Sequence, residues 1–141
     1  MKIYVKGIVY NPYKNEILFI RRNEDLKWEV PGGKLETHDH VEMSLLKRIK
    51  EDIGIAVEIE SLEYAKLCGD LSKPTHLVLM YICTTPSEGI TLSLDHSEYR
   101  WKDLDEILSW EYLEDYYKEE FIKYDIVERL NNIFIKVHEE E

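Results

Sequence analysis

Glu51 and Asp52 stand side by side near the end of a helical pattern, with Arg48 one turn before them. Residues three and four apart on a helix share a face. Arg48, Glu51 and Asp52 should therefore point the same way, back over the turn Pro31-Gly32-Gly33 that precedes the helix. Glycines in such a turn let backbone amides and carbonyls come close to a ligand. Neighbouring carboxylates facing a glycine-rich turn are suited to a hard divalent cation. Arg21 and Arg22 close an apolar run and are candidate phosphate contacts, because a guanidinium fork matches phosphate oxygens. A solvated strand end is the alternative reading. Trp28 and Lys34 flank the glycine turn. Lys34 is a further candidate substrate contact, and Trp28 reads as packing first, with a substrate contact as the alternative. His38 and His40 read as solvated loop residues. No Ser-His-Asp arrangement is visible, and Cys68 or Cys83 with His76 does not make a nucleophile pair.

Several elements must position these groups. Residues 2–10 and 16–22 are β-branched and aromatic and read as paired strands around a turn at 11–15. Trp28-Glu29-Val30 is a short strand leading into the glycines, and 34–36 continues extended. The helix spans about 40–53, with Asp39 as a cap acceptor and Leu45, Leu46, Ile49 and Ile53 as its buried stripe. Gly54 stops it. A long strand follows over 55–67, then a loop at 69–74. Next come an apolar central strand at 76–84 and a short strand at 90–92. Asp103 caps a short helix over about 104–109. One long helix is expected over about 113–137, with Tyr117, Phe121, Tyr124, Leu130, Phe134 and Val137 on one stripe.

The chain has 141 residues, 44% hydrophobic and 33% charged, which suits a single globular domain over 1–141 with a real core. Its net charge of -11 argues against binding a nucleic acid polymer through the backbone. No apolar run reaches the roughly 20 residues of a membrane span. The start, MKIYVKGIVYN, lacks a signal-peptide pattern. Two cysteines without a C-x-x-C pair read as buried free thiols and suit a cytoplasmic location. The long C-terminal stripe reads as core packing, with a homodimer contact as the alternative to a monomer.

Residues 32–55 resemble the box that defines the Nudix family. From Gly33 every spacing of that box holds: Asp39, Lys47, Arg48, Ile49, Glu51, Asp52, Gly54 and Ile55 fall on its positions. The lead-in Trp28-Glu29-Val30-Pro31-Gly32-Gly33, with Glu36, and the later Tyr99-Arg100-Trp101 are also family-like. The resemblance implies an α/β class chain with the Nudix fold, an α/β/α sandwich around a mixed β-sheet. It implies hydrolysis of a diphosphate linkage in a nucleoside diphosphate derivative, with Mg2+ or Mn2+ as cofactor and a small-molecule nucleotide as partner. In that chemistry metal ions neutralise the diphosphate and activate the attacking water. By the same resemblance, Gly32, Glu51 and Asp52 are expected metal ligands, with Asp95 as a further one. Glu51 and Asp52 are catalytic candidates, and Asp95 or Glu98 is the additional ligand or base. Arg48 joins the catalytic candidates as the residue standing at a catalytic position of the box.

The departures from the box fall at the site of chemistry. Asp39 and Asp52 stand for Glu, and Lys47 stands for Arg, each keeping its charge but changing its reach. Arg48 stands where the family has a Glu. A guanidinium about 4 Å from a monovalent cation opposes it by about 4 kcal/mol at an effective dielectric of 20. Two readings follow: a hydrolase with a weakened cation site in which Arg48 contacts phosphate, or a fold that binds a nucleotide or a protein without turnover.

Overall fold

The computed structural model describes residues 1–70 and 72–140. β1 (Lys2–Asn11) and β2 (Glu16–Arg22) form the expected antiparallel pair, meeting at Tyr10 opposite Ile17. Alternation along both strands divides the core. Ile8, Tyr10, Ile17 and Phe19 face one side, and Val5, Val9, Leu18 and Ile20 face the other. Side chains alternate because successive Cβ atoms on a strand point to opposite faces, so a sheet apolar on both faces needs cover on both.

The cover comes from helices on each side. α1 (Val41–Ile53) seats Leu45, Ile49 and Ile53 on the Val5–Val9 face. The 3-10 helix Leu104–Ser109, α2 (Asp115–Lys123) and α3 (Ile126–Glu139) seal the opposite face around Phe19, Trp110 and Tyr117. The result is an α/β fold with a mixed sheet between two helical layers. β3 (Trp28–Glu29), β4 (Gly32–Lys34), β5 (Glu58–Asp70), β6 (Lys73–Thr84) and β7 (His96–Asp103) complete the sheet. Its order is β3-β2-β1-β6-β5, with β4 also on β1 and β7 also on β2. β1 and β6 run parallel, and the other pairs are antiparallel. β4 pairs with β1 at Val5 and Lys6, whereas β2 pairs with β1 at Tyr10 and Asn11. The sheet therefore parts on one side of β1, and the glycine turn sits in the opening.

Several expectations are corrected. The helix expected over about 113–137 is two, because Asp125 adopts a left-handed φ of 53° between α2 and α3. Leu46 is exposed rather than part of the α1 stripe. The start of α1 is His40, with no side-chain cap, and Asp39 instead accepts from the Glu36 amide at 2.9 Å. Residues 90–92 form no strand, although Ile90 and Leu92 pack against the α1-side core. β5 starts later than expected and runs on to Asp70, with β6 resuming at Lys73, so the loop there is shorter than 69–74. Leu71 itself lies outside the described residues. Cys83 is buried as expected and Cys68 is only half-buried; neither is in a disulfide. Among the described residues no helix is long and apolar enough to cross a membrane.

Candidate active site

α1 delivers its last turn to the parted sheet. Gly54, at φ 75°, ends the helix and donates its N–H to the Lys50 carbonyl at 2.8 Å. This fixes Asp52 over the glycine turn. Asp52 is 8% exposed, and its Oδ2 accepts from the Gly32 N–H at 3.1 Å. Burial pushes its carboxyl above the ordinary range, opposed by the Gly32 N–H and by His96, Arg48 and Lys6 nearby.

Arg48 lies across the same turn. A Cβ on Gly33 would run into its guanidinium, so the guanidinium fills the space left by the missing side chain. Among the described residues Arg48 Nε is buried and has no hydrogen-bond partner. Its Nη1 lies 3.9 Å from Glu51 Oε2, an ion-pair distance but too long for a hydrogen bond. Glu51 is half exposed at 49% of its side chain, outside the lining of the cleft.

A cleft of about 1150 Å³ runs from this turn across β1 towards α2. At its near end Lys6 Nζ donates to Glu29 Oε1 at 2.8 Å, and His96 Nε2 lies 3.0 Å from Glu29 Oε2. His96 Nδ1 lies 3.2 Å from Ser93 Oγ. Burial pushes the Glu29 carboxyl up, but the His96 hydrogen bond and the Lys6 ammonium outweigh it and hold the group down at about 2. Arg22 forks onto Asp25 at 3.1 and 2.6 Å and stands 3.9 Å from Glu29. At the far end Tyr4 meets His76 edge-on, with ring centroids 5.5 Å apart. Glu120 accepts there from the Tyr64 hydroxyl at 2.6 Å and from Lys66 Nζ at 2.7 Å. Burial first, then Glu120, pushes the Tyr64 phenol well up.

Of the residues singled out from the sequence, Arg22, Gly32, Arg48, Asp52 and Asp95 line this cleft. Arg21 and Glu98 pair with each other at 3.5 Å on the β2–β7 surface. Trp28 is 5% exposed and packs on Trp110, with the Arg100 guanidinium 5.1 Å from its ring centroid. Lys34 is exposed at the end of β4, and His38 and His40 are exposed in their loop. Lys6, Glu29 and His96 were not singled out for the site. They meet only through the fold, from β1, β3 and β7. The nearest sequence signal was a histidine next to Asp95.

The donor set does not fit a divalent cation held as the family pattern has it. Among the described residues no three His, Cys, Asp or Glu side chains come together to hold a metal ion. The glycine turn is filled by a guanidinium, one Asp52 oxygen is taken by Gly32, and Glu29 is committed to Lys6 and His96. The arrangement can bind anions through Arg48 and can offer the Asp52 carboxylate to a water.

The description "NUDIX domain" is that of a family model matching residues 2–124, so the chain belongs to the Nudix family, whose hydrolases generally use divalent metals. It is similar to a MutT-like protein of Streptomyces ambofaciens, 30% identical over 108 residues, which cover 74% of this chain and 66% of that protein. The chain thus spans just under two thirds of that relative's length. The crystal structure of the MutT protein from Methanosarcina mazei Go1 matches with a TM-score of 0.75 at 25% identity, covering 88% of this chain and 92% of that one. A C. elegans Ap4A hydrolase, solved as a binary complex, shares the fold with a TM-score of 0.69 at 15% identity, over 96% of this chain and 98% of that one.

Proposed function

We propose that this chain binds a nucleoside diphosphate derivative in the cleft and hydrolyses its diphosphate linkage. The observation that supports this best is the meeting of the Asp52 carboxylate and the Arg48 guanidinium over the Gly32-Gly33 turn, at one end of a cleft of about 1150 Å³. That volume accommodates a nucleotide-sized ligand. In this reading Arg48 holds phosphate oxygens, and Arg22, paired with Asp25, lines the same cleft. Asp52 takes the proton from a water that attacks phosphorus. The bond from phosphorus to the bridging oxygen breaks, and its electron pair leaves with the departing phosphate. Asp95 supplies a second carboxylate at the cleft, and Tyr4 and Tyr116 flank the remainder of the ligand. Arg21, Trp28, Lys34, Glu51 and Glu98 have no direct part in this reading, because they lie outside the cleft lining. The free thiols suit a cytoplasmic location.

The test is release of phosphate or nucleoside monophosphate over a nucleotide panel, run in Mg2+, in Mn2+ and in EDTA. Hydrolysis of at least one diphosphate derivative, removed by Asp52→Asn, is the expected result. Turnover unchanged in Asp52→Asn would sink the assignment. A second reading, binding without turnover, draws on Arg48, which puts a positive charge where the box has a carboxylate. Nucleotide-induced thermal stabilisation without product release would select it.

A further inference from the structure

We infer that Arg48 is a built-in cation for the ligand's diphosphate, so that the phosphate end of the cleft binds without an added divalent metal. The inference rests on the cleft reading above and specifies how that site holds its ligand. Among the described residues four cationic side chains of Lys or Arg line the cleft: Lys6, Arg22, Arg48 and Lys66. Three are each held by a carboxylate at hydrogen-bond distance: Lys6 by Glu29 at 2.8 Å, Arg22 by Asp25 at 2.6 Å and Lys66 by Glu120 at 2.7 Å. Arg48 is different. Among the described residues its closest ion-pair distance is 3.9 Å, to a half-exposed Glu51, and its Nε is buried without a partner although the side chain as a whole is 43% exposed.

A buried donor left unpaired is costly, and native structures seldom keep one without a reason. Because the side chain as a whole is partly exposed, a turn of the guanidinium from Gly33 towards the cleft would bring this donor to an oxyanion. The guanidinium presents a planar fork that matches two phosphate oxygens at once. Gly33 has no side chain to block that approach, and the guanidinium already rests in the vacant Cβ position. The same charge repels a second cation from the turn, and among the described residues no three His, Cys, Asp or Glu side chains are placed to hold a metal ion there. Phosphate neutralisation at this turn therefore falls to Arg48.

Calorimetric titration with inorganic pyrophosphate and with ADP, in EDTA and again in excess Mg2+, tests this on the full chain. The wild type should bind both in EDTA, with affinity within about threefold of that in Mg2+. Arg48→Ala should weaken binding in EDTA by about tenfold or more, the scale of a charge-assisted hydrogen bond. Arg48→Lys, which keeps the charge and loses the fork, should fall between them. Arg48→Glu should abolish binding in EDTA and make it depend on Mg2+. Circular dichroism checks that each variant is folded. Wild-type binding that occurs only in Mg2+, or an Arg48→Ala affinity unchanged in EDTA, overturns the inference and leaves the cleft reading standing. No binding of either probe in either buffer overturns both.

Discussion

Lys6 Nζ lies 2.8 Å from Glu29 Oε1, tying β1 to β3 across the near end of the cleft. With His96 on the other carboxylate oxygen, this holds Glu29 ionised in a largely buried place, where burial alone would favour the neutral acid. The folded state keeps Glu29 at about 2 against an ordinary 4.5. Between these values the unfolded chain binds more protons, so stability rises with pH through that window. Glu29 should contribute about 3 kcal/mol above pH 4.5, lost as pH falls towards 2. Glu29→Gln should flatten the acid limb of a urea-denaturation pH series. An unchanged limb would mean that the Lys6 and His96 contacts do not hold the charge.

Asp52 has the opposite sign. Its carboxyl is raised by burial, so just above the ordinary aspartate value the folded state binds more protons and stability falls as pH rises. Asp52→Asn should remove that fall and keep an acceptor for the Gly32 N–H. Its melting temperature at neutral pH should match or exceed the wild type. Hydrolysis should drop by about a hundredfold or more, the usual contribution of a general base. Asp52→Ala, which also strips the Gly32 bond, should cost about 1–3 kcal/mol of stability. Kinetics and thermal melts on the same two variants separate the chemical role from the structural one.

Glu120 anchors α2 to β5. Glu120 is 7% exposed, and its carboxylate takes hydrogen bonds from the Tyr64 hydroxyl and the Lys66 ammonium. Tyr64→Phe removes one donor and leaves the buried oxygen less satisfied. The expected cost is about 1–3 kcal/mol, measured by chemical denaturation. Glu120→Gln should cost less than Tyr64→Phe combined with Lys66→Met, because the amide can still accept from the tyrosine. The reverse order would show that the carboxylate charge, rather than the paired hydrogen bonds, secures α2.

The glycine turn and α1 were legible in the sequence because everything that defines them is local. Spacing along one helix puts Arg48 and Asp52 on one face, and the glycine turn lies only a short loop before that helix. The other half of the site was hidden. His96 and Glu29 are 67 residues apart, and Lys6 and Glu29 are 23 apart. No periodicity links them, and they meet only because the sheet parts beside β1. The break between α2 and α3 was hidden for a different reason. No Gly or Pro marks it, the apolar stripe continues on both sides, and the turn is made by Asp125, one of the few side chains that tolerate the left-handed region. The role of Arg48 was half legible: the residue type announced a change in chemistry, but only the packing revealed an unpaired Nε seated at Gly33.

Gly32 and Gly33 are adjacent, yet substitution by alanine should have different consequences. Gly32 sits at φ 145°, and a Cβ there would strike the Val5 backbone, which cannot move without opening the β1–β4 pairing. Gly32→Ala should cost about 2 kcal/mol or more from backbone strain and collision together. At Gly33 the obstacle is the end of a flexible arginine. Gly33→Ala should leave the melting temperature within a few degrees and push the Arg48 guanidinium out of the turn. Pyrophosphate affinity in EDTA should then fall towards that of Arg48→Ala. Combining the two substitutions should add little further loss, since both remove the same contact. Additive losses in that double-mutant cycle would place the phosphate contact elsewhere than at Arg48.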